Sequence, residues 1–518
     1  MPQTGKAEQP PPSRHWIEPL AERILERKKP PFIITSGMTT SGPCHLGTLC
    51  EFLYPAVIQK FLKTKGHASE FHFIADIFDA FDSIPLLMME FERELAPHLG
   101  KPLVAVPDPR GCCGSFGDHF LNEAKGIMEK FEIDPKIHKA NELYAQGKFD
   151  AHARLFLKNY KKAKEAVSKT SMKEAPADWS PLMPVCSNCG RIATTAVTAF
   201  DETSFSYSCV RDVGYAKGCG FSGESKISEH RYKLTWRLHW PAWMDVFKTS
   251  VEGAGMDHHT RGGSWDTARA VFEEIFHKEP PITYKFGFVL FKGKKYSKSK
   301  GVGLGVCDVL SLTPPELLAY QILKHDIQEN KDFDPTGNRL MQLYDDYADA
   351  GRLAQGDLAR LSRAERKRAV AFSLSTEKLK WRAPFSDVLL YYQIHGDWKK
   401  VGGMVGDAGG VSYLKPFIQH WLEEGYAPEE YIFRFEPQKP PTNANAVRAF
   451  ANALKEDMDA LAVHNLVFEI AKQYNTQPNE LFKTLYQTLL GKEKGPRFGK
   501  LVCALGAGKI KKIILDLL

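Results

Sequence analysis

The sequence lacks the features of secreted and membrane proteins. No stretch of its 518 residues approaches the roughly 18 consecutive apolar residues that a transmembrane helix needs, so we expect no membrane span. The first 14 residues contain no apolar stretch after Lys6, so we expect no signal peptide. Cysteines are few, ten in all, and a long chain without a leader is not a secreted disulfide scaffold. We therefore expect a cytoplasmic protein.

The composition is that of an ordinary folded protein. Hydrophobic residues make up 43% of the chain and charged residues 25%, which argues against disorder and against a fibrous structure. At about 150 residues per domain, the length predicts about three or four domains. The net charge of +7 fits a polyanionic partner but does not require one.

Two separated stretches of the chain predict one α/β domain. An apolar run at 31–36 predicts a buried strand, a helical apolar pattern follows at 45–65, and a second strand is expected at 71–76. Strand, glycine-rich turn, helix and strand in this order are typical of a βαβ unit in a parallel sheet. The same character returns later in the chain, with a helix at 266–277 and a strand at 284–291.

The other parts of the chain have a different pattern. Residues 121–235 are first charged and helical, then short and cysteine-punctuated, so we interpret them as an insertion that splits the α/β domain. From residue 311 the pattern is helical, with a clear amphipathic segment after Pro478. The glycines between residues 402 and 410 predict a flexible loop. The basic residues between 360 and 368 suit RNA phosphates or, alternatively, a solvated helix face.

The turn after the first predicted strand carries a nucleotide-binding motif. Small residues from Gly37 through Gly42 to Pro43 let the backbone approach a ligand closely. His45 and Gly47 stand at the start of the following helix, where free N–H groups and the helix dipole favour phosphate. A histidine that caps the helix is the alternative interpretation of this motif alone.

A second motif follows the strand at the far end of the split domain. From Lys292 to Gly301, lysines alternate with serine and glycine, which suits a mobile loop that closes on a triphosphate. Between the two motifs, Gly255 and Asp257 predict a turn whose carboxylate can accept both ribose hydroxyl protons. A structural loop is the alternative for this Gly-x-Asp pattern.

The two lysine- and histidine-containing motifs, on the two halves of an α/β domain, resemble the pair that marks class I aminoacyl-tRNA synthetases. The resemblance narrows to the class I lysyl-tRNA synthetase family, of archaeal and bacterial type, because of six further segments: 74–85, 106–112, 234–241, 262–267, 421–428 and 485–499. It implies a Rossmann-like class I synthetase catalytic domain split by a zinc-binding insertion and followed by an all-α C-terminal anticodon-binding region.

The resemblance also implies domain boundaries. They are a flexible N-terminal tail at 1–30, the first half of the catalytic domain at 31–120, the connective insertion with its zinc knuckle at 121–235, the second half with the lysine-rich loop at 236–310, and a stem-contact and α-helical anticodon-binding region at 311–518.

The reaction implied by the resemblance uses ATP to activate L-lysine as lysyl-adenylate and then transfers lysine to the 3′ end of tRNA(Lys), with Mg²⁺ bridging the phosphates. The implied catalytic residues are His45 on the phosphates, Lys295 and Lys298 on the pyrophosphate charge, and Ser297 and Ser299 as phosphate donors. The implied ATP site contains His45, Lys295, Lys298, Gly37, Gly42, Pro43, Gly47, Gly255 and Asp257. The implied lysine site contains Gly37, Thr39, Trp236, His258 and Tyr284.

Some of these roles have alternatives. Trp236 could be a core residue, and Tyr284 could be an ordinary strand residue. The carboxylates that hold the two ammonium groups of lysine are left open; Asp76 and Asp79 are candidates, although carboxylates after a strand are commonly solvated or capping.

Four cysteines predict a structural zinc site. Cys186 and Cys189 have the CxxC spacing that places two thiolates on one ion, and Cys209 and Cys219 follow close behind. Free thiols are the alternative. A closed four-thiolate site would stabilise the insertion and would not take part in catalysis.

A second group could also hold a metal. Cys112, Cys113 and His119 are close in sequence, but a fourth ligand is missing from the local sequence.

Other functions stay open. The chain could be a class I synthetase for glutamate or cysteine, or a nucleotidylyltransferase-like enzyme, although such an enzyme does not need a long helical C-terminal half. A non-catalytic RNA-binding paralogue would be expected to have lost His45 or Lys298, and both are present. The sequence leaves the oligomeric state open and slightly favours a monomer.

Overall fold

The chain folds into two compact units. The computed structural model describes residues 14–172, 174–295 and 305–518. The first unit consists of the chain up to residue 310 together with 318–333 and 361–375. The second unit consists of 311–317, 334–360 and 376–518.

The strands of the described residues are β1 Phe32–Met38, β2 Ser69–Ala75, β3 Lys136–Lys139, β4 Leu182–Pro184, β5 Thr195–Phe200, β6 Ser204–Cys209, β7 Ser222–Lys226, β8 Tyr232–Leu234, β9 Val251–Gly255, β10 Ile282–Phe286, β11 Val289–Phe291, β12 Lys294–Lys295 and β13 Lys331–Phe333. The helices up to residue 312 are α1 Ile17–Arg27, α2 Leu46–Thr64, α3 Glu92–Leu95, α4 Phe116–Lys130, α5 Ala140–Ala145, α6 Asp150–Lys158, α7 Tyr160–Ser171, α8 Trp236–Val246, α9 Ser264–Val271 and α10 Val306–Leu312. Those that follow are α11 Pro315–Leu323, α12 Asn338–Ala354, α13 Arg363–Ser375, α14 Phe385–His395, α15 Trp398–Met404, α16 Ala408–Glu423, α17 Ala444–Ala453, α18 Ala460–Gln473, α19 Pro478–Leu490, α20 Phe498–Leu505 and α21 Ala507–Leu517.

A parallel five-stranded sheet forms the centre of the first unit, in the order β10-β9-β1-β2-β3. The pair β1–β2 is in register along its whole length, from Phe32 opposite Ser69 to Met38 opposite Ala75. The chain runs outward from β1 to β3 on one side and returns to β9 and β10 on the other. The strand order therefore reverses beside β1, and ligands of open parallel sheets bind at this position, outside the carboxyl ends of the strands.

The predicted βαβ unit is confirmed. Helix α2 joins β1 to β2, and its Leu46, Leu49, Leu53 and Val57 are buried, as their spacing predicted. The apolar face of this helix lies against β1 and β2. The start of α2 is thereby held beside the end of β1, which places the first nucleotide motif at the carboxyl edge of the sheet.

The predicted boundary at residue 120 is wrong for the sheet, because β3 lies beyond it and pairs with β2. Its sequence, Lys136–Lys139, is polar, which is why it shows no strand signal. The rest of the insertion builds an antiparallel sheet, β5-β6-β7, and the pair β4–β8. Its Cys186 and Tyr207 belong to the same hydrophobic core as Trp243 and Val271, so the insertion is packed onto the second half of the α/β domain.

Two further predictions of the first unit need correction. The expected tail at 1–30 contains helix α1, whose Ile17, Leu20 and Ile24 are buried at helical spacing. The expected strand at 284–291 is divided into β10 and β11, which belong to different sheets. The division falls at Gly287, where a Cβ would lie 2.2 Å from the carbonyl oxygen of Glu329.

The region from 311 to 518 is not all-α. Strand β13 pairs with β11 in the first unit, and helix α13 also belongs to that unit. In α13, Arg366 forms an ion pair of 3.0 Å with Glu18 of α1. The basic segment at 360–368 is therefore partly engaged within the protein.

In the described residues of the second unit, the regular elements are helices. Helix α19 begins at Pro478 and buries Leu481, Leu485 and Leu489, as predicted. The predicted glycine loop is wrong, because α15 and α16 occupy most of it. Gly402 packs closely onto the start of α16, where a Cβ would lie 2.9 Å from Cα of Ala408.

Among the helices of the residues described above, none combines the length and the apolar character that crossing a bilayer requires.

Candidate active site

A cleft opens at the carboxyl edge of the central sheet, at the strand-order reversal. Its volume is about 560 Å³. The ends of β1, β9 and β10 and the start of α2 all contribute to it. Its lining residues are Gly37, Met38, Thr39, His45, Gly47, Thr48, Glu51, Asp79, Trp236, Gly255, Asp257, His258, Phe286, Gly287, Phe288 and Val289.

His45 caps helix α2 and lines the cleft. Its Nδ1 accepts a hydrogen bond from the backbone N–H of Thr48 at 3.2 Å. The neutral ring therefore carries its proton on Nε2. Gly47 makes this arrangement possible, because a Cβ at that position would lie 2.9 Å from Cε1 of His45. The histidine thus both caps the helix and contributes to the cleft, so the two interpretations of the motif are not exclusive.

The other predicted nucleotide residues are divided between the cleft and its surroundings. Gly37, Gly47, Gly255 and Asp257 line the cleft together with His45. Gly42 is buried, and Pro43 lines a neighbouring pocket. The backbone of Lys295 lies in β12. The side chain of Lys295 lies outside the described part of the chain, as do Ser297, Lys298 and Ser299 entirely.

Four of the five predicted lysine-site residues line the cleft, namely Gly37, Thr39, Trp236 and His258. Tyr284 does not line it. Its ring lies beneath β9 against Gly253, where a Cβ would come within 2.2 Å of the ring, and it faces the ring of Tyr54 at 6.4 Å between centroids. Tyr284 is therefore placed in the packing below the site.

Aromatic rings form one wall of the cleft. Trp236 stacks on Trp240 with centroids 5.7 Å apart and planes 11° apart, and its Nε1 donates to Ser264 Oγ at 3.2 Å. Trp240 Nε1 in turn donates to Glu252 Oε1 at 2.8 Å. The wall is thus fixed from behind by a buried carboxylate, and burial raises the pKa of Glu252 to about 7.

Glu51 is a cleft residue that the sequence analysis missed. It lies one turn after Gly47 on α2, and its Oε2 accepts a hydrogen bond from Ser36 Oγ at 2.9 Å. Burial raises the pKa of Glu51 to about 8, with neighbouring Glu252 and Asp257 adding to the effect. A single acidic residue within an otherwise apolar helical pattern was the signal that could have indicated it.

Asp76 and Asp79, the two candidate ammonium-binding carboxylates, differ in their access to the cleft. Asp76 is buried, and its Oδ2 lies 2.8 Å from Nζ of Lys233. Asp79 lines the cleft, and its Oδ1 lies 3.0 Å from the same Nζ. Only Asp79 is therefore placed to reach a ligand in the cleft.

The four predicted zinc ligands converge. The Sγ atoms of Cys186, Cys189, Cys209 and Cys219 all lie within 4.8 Å of one another. The Cys186–Cys219 and Cys189–Cys209 Sγ separations are both 3.7 Å. A tetrahedron with metal–sulfur bonds of about 2.3 Å has edges of about 3.8 Å, so the donor set fits Zn²⁺.

A second cluster contains a fourth candidate ligand, so the expectation that the local sequence lacks one is wrong. Asp108 joins Cys112, Cys113 and His119, with one donor atom from each within 4.8 Å of the others. Oδ2 of Asp108 lies 3.2 Å from Cys112 Sγ, and the same Sγ lies 3.2 Å from Nδ1 of His119. A carboxylate four residues before the first cysteine, in a Pro-Asp-Pro turn, was the available signal.

A cleft with a histidine at a helix start, a carboxylate turn and an aromatic wall lies at the strand-order reversal of a parallel sheet, which is the position where doubly wound α/β folds bind their ligands. The family model described as "tRNA synthetases class I (K)" matches residues 14–378. The chain therefore belongs to this family of class I tRNA synthetases.

Curated relatives are similar along nearly the whole chain. The lysine–tRNA ligase of Archaeoglobus fulgidus is 30% identical, over 96% of this chain and 99% of its own length. The lysine–tRNA ligase of Methanocaldococcus jannaschii is also 30% identical, over 95% of this chain and 98% of its own. Among solved structures, a glutamate tRNA ligase from Elizabethkingia meningosepticum aligns at 12% identity with a TM-score of 0.35, covering 94% of this chain and 99% of its own.

Proposed function

We propose that the chain is a lysine–tRNA ligase, which activates L-lysine with ATP and transfers it to the 3′ end of tRNA(Lys). The observation that carries the proposal is the cleft itself. It brings His45, the Asp257 turn, the Trp236 wall and the carboxylates Glu51 and Asp79 together in one space of about 560 Å³. Membership in the class I (K) family and the named relatives support lysine as the amino acid.

The chemistry needs no enzyme nucleophile. The carboxylate of lysine attacks the α-phosphate of ATP, pyrophosphate leaves, and a ribose hydroxyl of the tRNA then takes the lysyl group from the adenylate. Catalysis is therefore positioning and charge stabilisation. Nε2 of His45 and the N-terminus of α2 would bind the phosphates, and the carboxylate of Asp257 would accept hydrogen bonds from the ribose hydroxyls.

The proposal also assigns roles to the lysine-rich loop at 292–301. Lys295 and Lys298 would stabilise the charge on the departing pyrophosphate, and Ser297 and Ser299 would donate to the phosphates. Magnesium, when bound with ATP, would neutralise phosphate charge.

Both metal clusters have structural roles in this proposal. The four cysteine sulfurs would hold Zn²⁺ in a closed site that fixes the β5-β6-β7 sheet. The second cluster, with Asp108, would hold another divalent metal and fix the turn before α4. Neither site contributes a residue to the lining of the cleft.

The remaining assignments of this proposal concern the second unit, the oligomeric state and the location. The helical second unit would contain the anticodon-binding region, and the chain would act as a monomer in the cytoplasm.

Amino-acid-dependent exchange between pyrophosphate and ATP tests the proposal. The full chain is assayed with each of the twenty amino acids in turn. Exchange with lysine is the expected result. Exchange with glutamate or cysteine and none with lysine would favour another class I synthetase, and exchange with no amino acid would favour a nucleotidylyltransferase-like enzyme.

A further inference from the structure

A cluster of three charges lies at the cleft, and one of its members lines the cleft. Nζ of Lys233, on β8, lies 2.8 Å from Oδ2 of Asp76 and 3.0 Å from Oδ1 of Asp79. The side chains of Lys233 and Asp76 are 1% and 2% exposed, whereas that of Asp79 is 36% exposed. Asp79 is thus the member of this Lys233 cluster that faces the cleft.

The charges of the Lys233 cluster do not balance. Two carboxylates share one ammonium group, which leaves one negative charge when all three groups are ionised. His239 also faces the cluster, and its Nε2 lies 4.0 Å from Oδ2 of Asp76. Burial and the charge of Lys233 hold the pKa of His239 well below its ordinary value, so it stays neutral. A partly desolvated excess charge favours a cation from outside the cluster.

The hydrogen bonds of Asp79 fix the direction of its carboxylate. Oδ1 accepts a hydrogen bond from Nζ of Lys233 and a second one from the backbone N–H of Ala80, both at 3.0 Å. Oδ2 accepts from Thr39 Oγ1 at 3.3 Å, and Thr39 also lines the cleft. The carboxylate is therefore held in one orientation, with Oδ2 on the cleft side. An ammonium donor placed there gains a charge-assisted hydrogen bond without the cost of ordering the acceptor.

Two other carboxyl groups line the cleft, that of Asp257, which the proposed function assigns to the ribose, and that of Glu51. Glu51 differs from Asp79 in charge. Its carboxyl is buried and bonded to Ser36 Oγ, and its raised pKa of about 8 keeps much of it protonated at neutral pH. Asp79 is paired with a lysine, and although burial opposes ionisation, Lys233 and the hydrogen bonds hold the pKa of Asp79 below its ordinary value. Asp79 is thus the better acceptor for a cation.

We propose that Oδ2 of Asp79 binds an ammonium group of the amino-acid substrate, and that Lys233 is a positioning residue that holds Asp79 in place for this contact. The inference rests on the proposed function, because lysine is the substrate that brings two ammonium groups into the cleft. It adds to that function the carboxylate that receives one of them.

The first test is Asp79→Asn, which keeps the shape and the bond to Thr39 but removes the charge. The KM for lysine in pyrophosphate exchange should rise about tenfold or more, because a hydrogen bond to a charged group is lost. The KM for ATP should stay within about twofold. Asp82→Asn is the matched control, because Asp82 is exposed three residues away and accepts a local hydrogen bond from Ser83 Oγ at 2.8 Å. An unchanged KM for lysine in Asp79→Asn would overturn the proposal.

Two lysine analogues identify the ammonium group. Norleucine keeps only the α-ammonium, and 6-aminohexanoate keeps only the ε-ammonium. The proposal expects the inhibition constant of one of them to rise about tenfold or more in Asp79→Asn while that of the other stays unchanged. No change for either analogue would contradict the contact.

The positioning role of Lys233 is tested by Lys233→Met alone and combined with Asp79→Asn. If Lys233 acts through Asp79, the single variant raises the KM for lysine, and the double variant adds little to the effect of Asp79→Asn. The contrary result is a Lys233→Met variant with a lower kcat and a higher KM for ATP, whose effects add fully to those of Asp79→Asn in the double variant. That result would show a general structural role and overturn the assignment.

These outcomes are separable from failure of the proposed function. If the wild-type chain shows no exchange with lysine, the function itself is wrong. If the wild-type chain exchanges with lysine and Asp79→Asn is unaffected, only this inference is wrong.

Discussion

The double role of His45 can be separated by two substitutions at the same position. The residue caps α2 through Nδ1, which accepts the N–H of Thr48 at 3.2 Å, and its Nε2 would donate to phosphate. Asparagine is as good a helix cap as any residue, so His45→Asn keeps the cap through its amide oxygen and removes the imidazole. His45→Ala removes both.

The expected magnitudes follow from these two roles. Loss of a preorganised donor to developing negative charge costs about 100-fold to 1,000-fold in rate. Loss of a helix cap costs about 1 kcal/mol of stability. We therefore expect His45→Asn to lose rate by about 100-fold or more with its unfolding free energy nearly unchanged. For His45→Ala we expect the same loss of rate and about 1 kcal/mol of lost stability.

The assay is lysine-dependent pyrophosphate exchange at saturating lysine and ATP, with urea unfolding measured on the same preparations. A rate of His45→Asn close to that of the wild type would refute the phosphate role. Equal destabilisation by asparagine and alanine would refute the capping geometry.

Three other predictions concern the metal site and the packing around the cleft. The double substitution Cys186→Ser and Cys189→Ser should abolish stoichiometric zinc at the four-cysteine site, measured by elemental analysis of the purified chain; undiminished zinc would refute that site. Gly253→Ala should destabilise the first unit by about 3 kcal/mol in urea unfolding, because its Cβ would overlap the ring of Tyr284 at 2.2 Å. The control Gly403→Ala lies in α15 with open space around its Cβ, so it should stabilise by up to about 1 kcal/mol, and equal destabilisation by the two substitutions would contradict the packing argument. Burial raises the pKa of Glu252 from 4.5 to about 7, so its contribution to stability is full below about pH 4.5 and is lost as the pH rises through 7. Glu252→Gln is neutral at every pH, and it should reduce the loss between about pH 5 and pH 8 by about 2.5 kcal/mol in urea unfolding. An unchanged pH profile would count against this prediction.

The parts of the site that depend on local sequence could be predicted. The His45 motif is one example, because the close contact between His45 and Gly47 arises within a single helical turn. The CxxC pair is another, because two thiolates at that spacing can reach one ion without help from the rest of the fold. The helix from 45 to 65 followed from apolar spacing, and α2 Leu46–Thr64 confirms it.

The missed elements depend on contacts between distant residues. Strand β3 is short and polar, and it is a strand only because it pairs with the edge of β2. The apolar run at 284–291 looks continuous, but Gly287 lies against the backbone of Glu329 and divides it into two strands. Tertiary contacts decide both cases, and an apolar or polar pattern alone does not contain them.

The charged residues of the cleft show the same limit. Asp76 and Asp79 are three residues apart and chemically identical, so the sequence could not tell them apart. The fold brings Lys233, which is far away in the chain, into an ion pair with each of them. Asp76 is buried in its pair, whereas Asp79 stays partly exposed. Asp108, the fourth candidate ligand of the second cluster, lies only four residues before Cys112, so its Pro-Asp-Pro turn was a local signal that the sequence analysis did not use.

The most direct measurement of the central claim is charging of tRNA(Lys) by the full chain with ATP and each of lysine, glutamate and cysteine. The account predicts that the 3′ end of tRNA(Lys) is esterified with lysine and with neither of the others. Charging with glutamate or cysteine, or no charging by a chain that binds ATP, would contradict it.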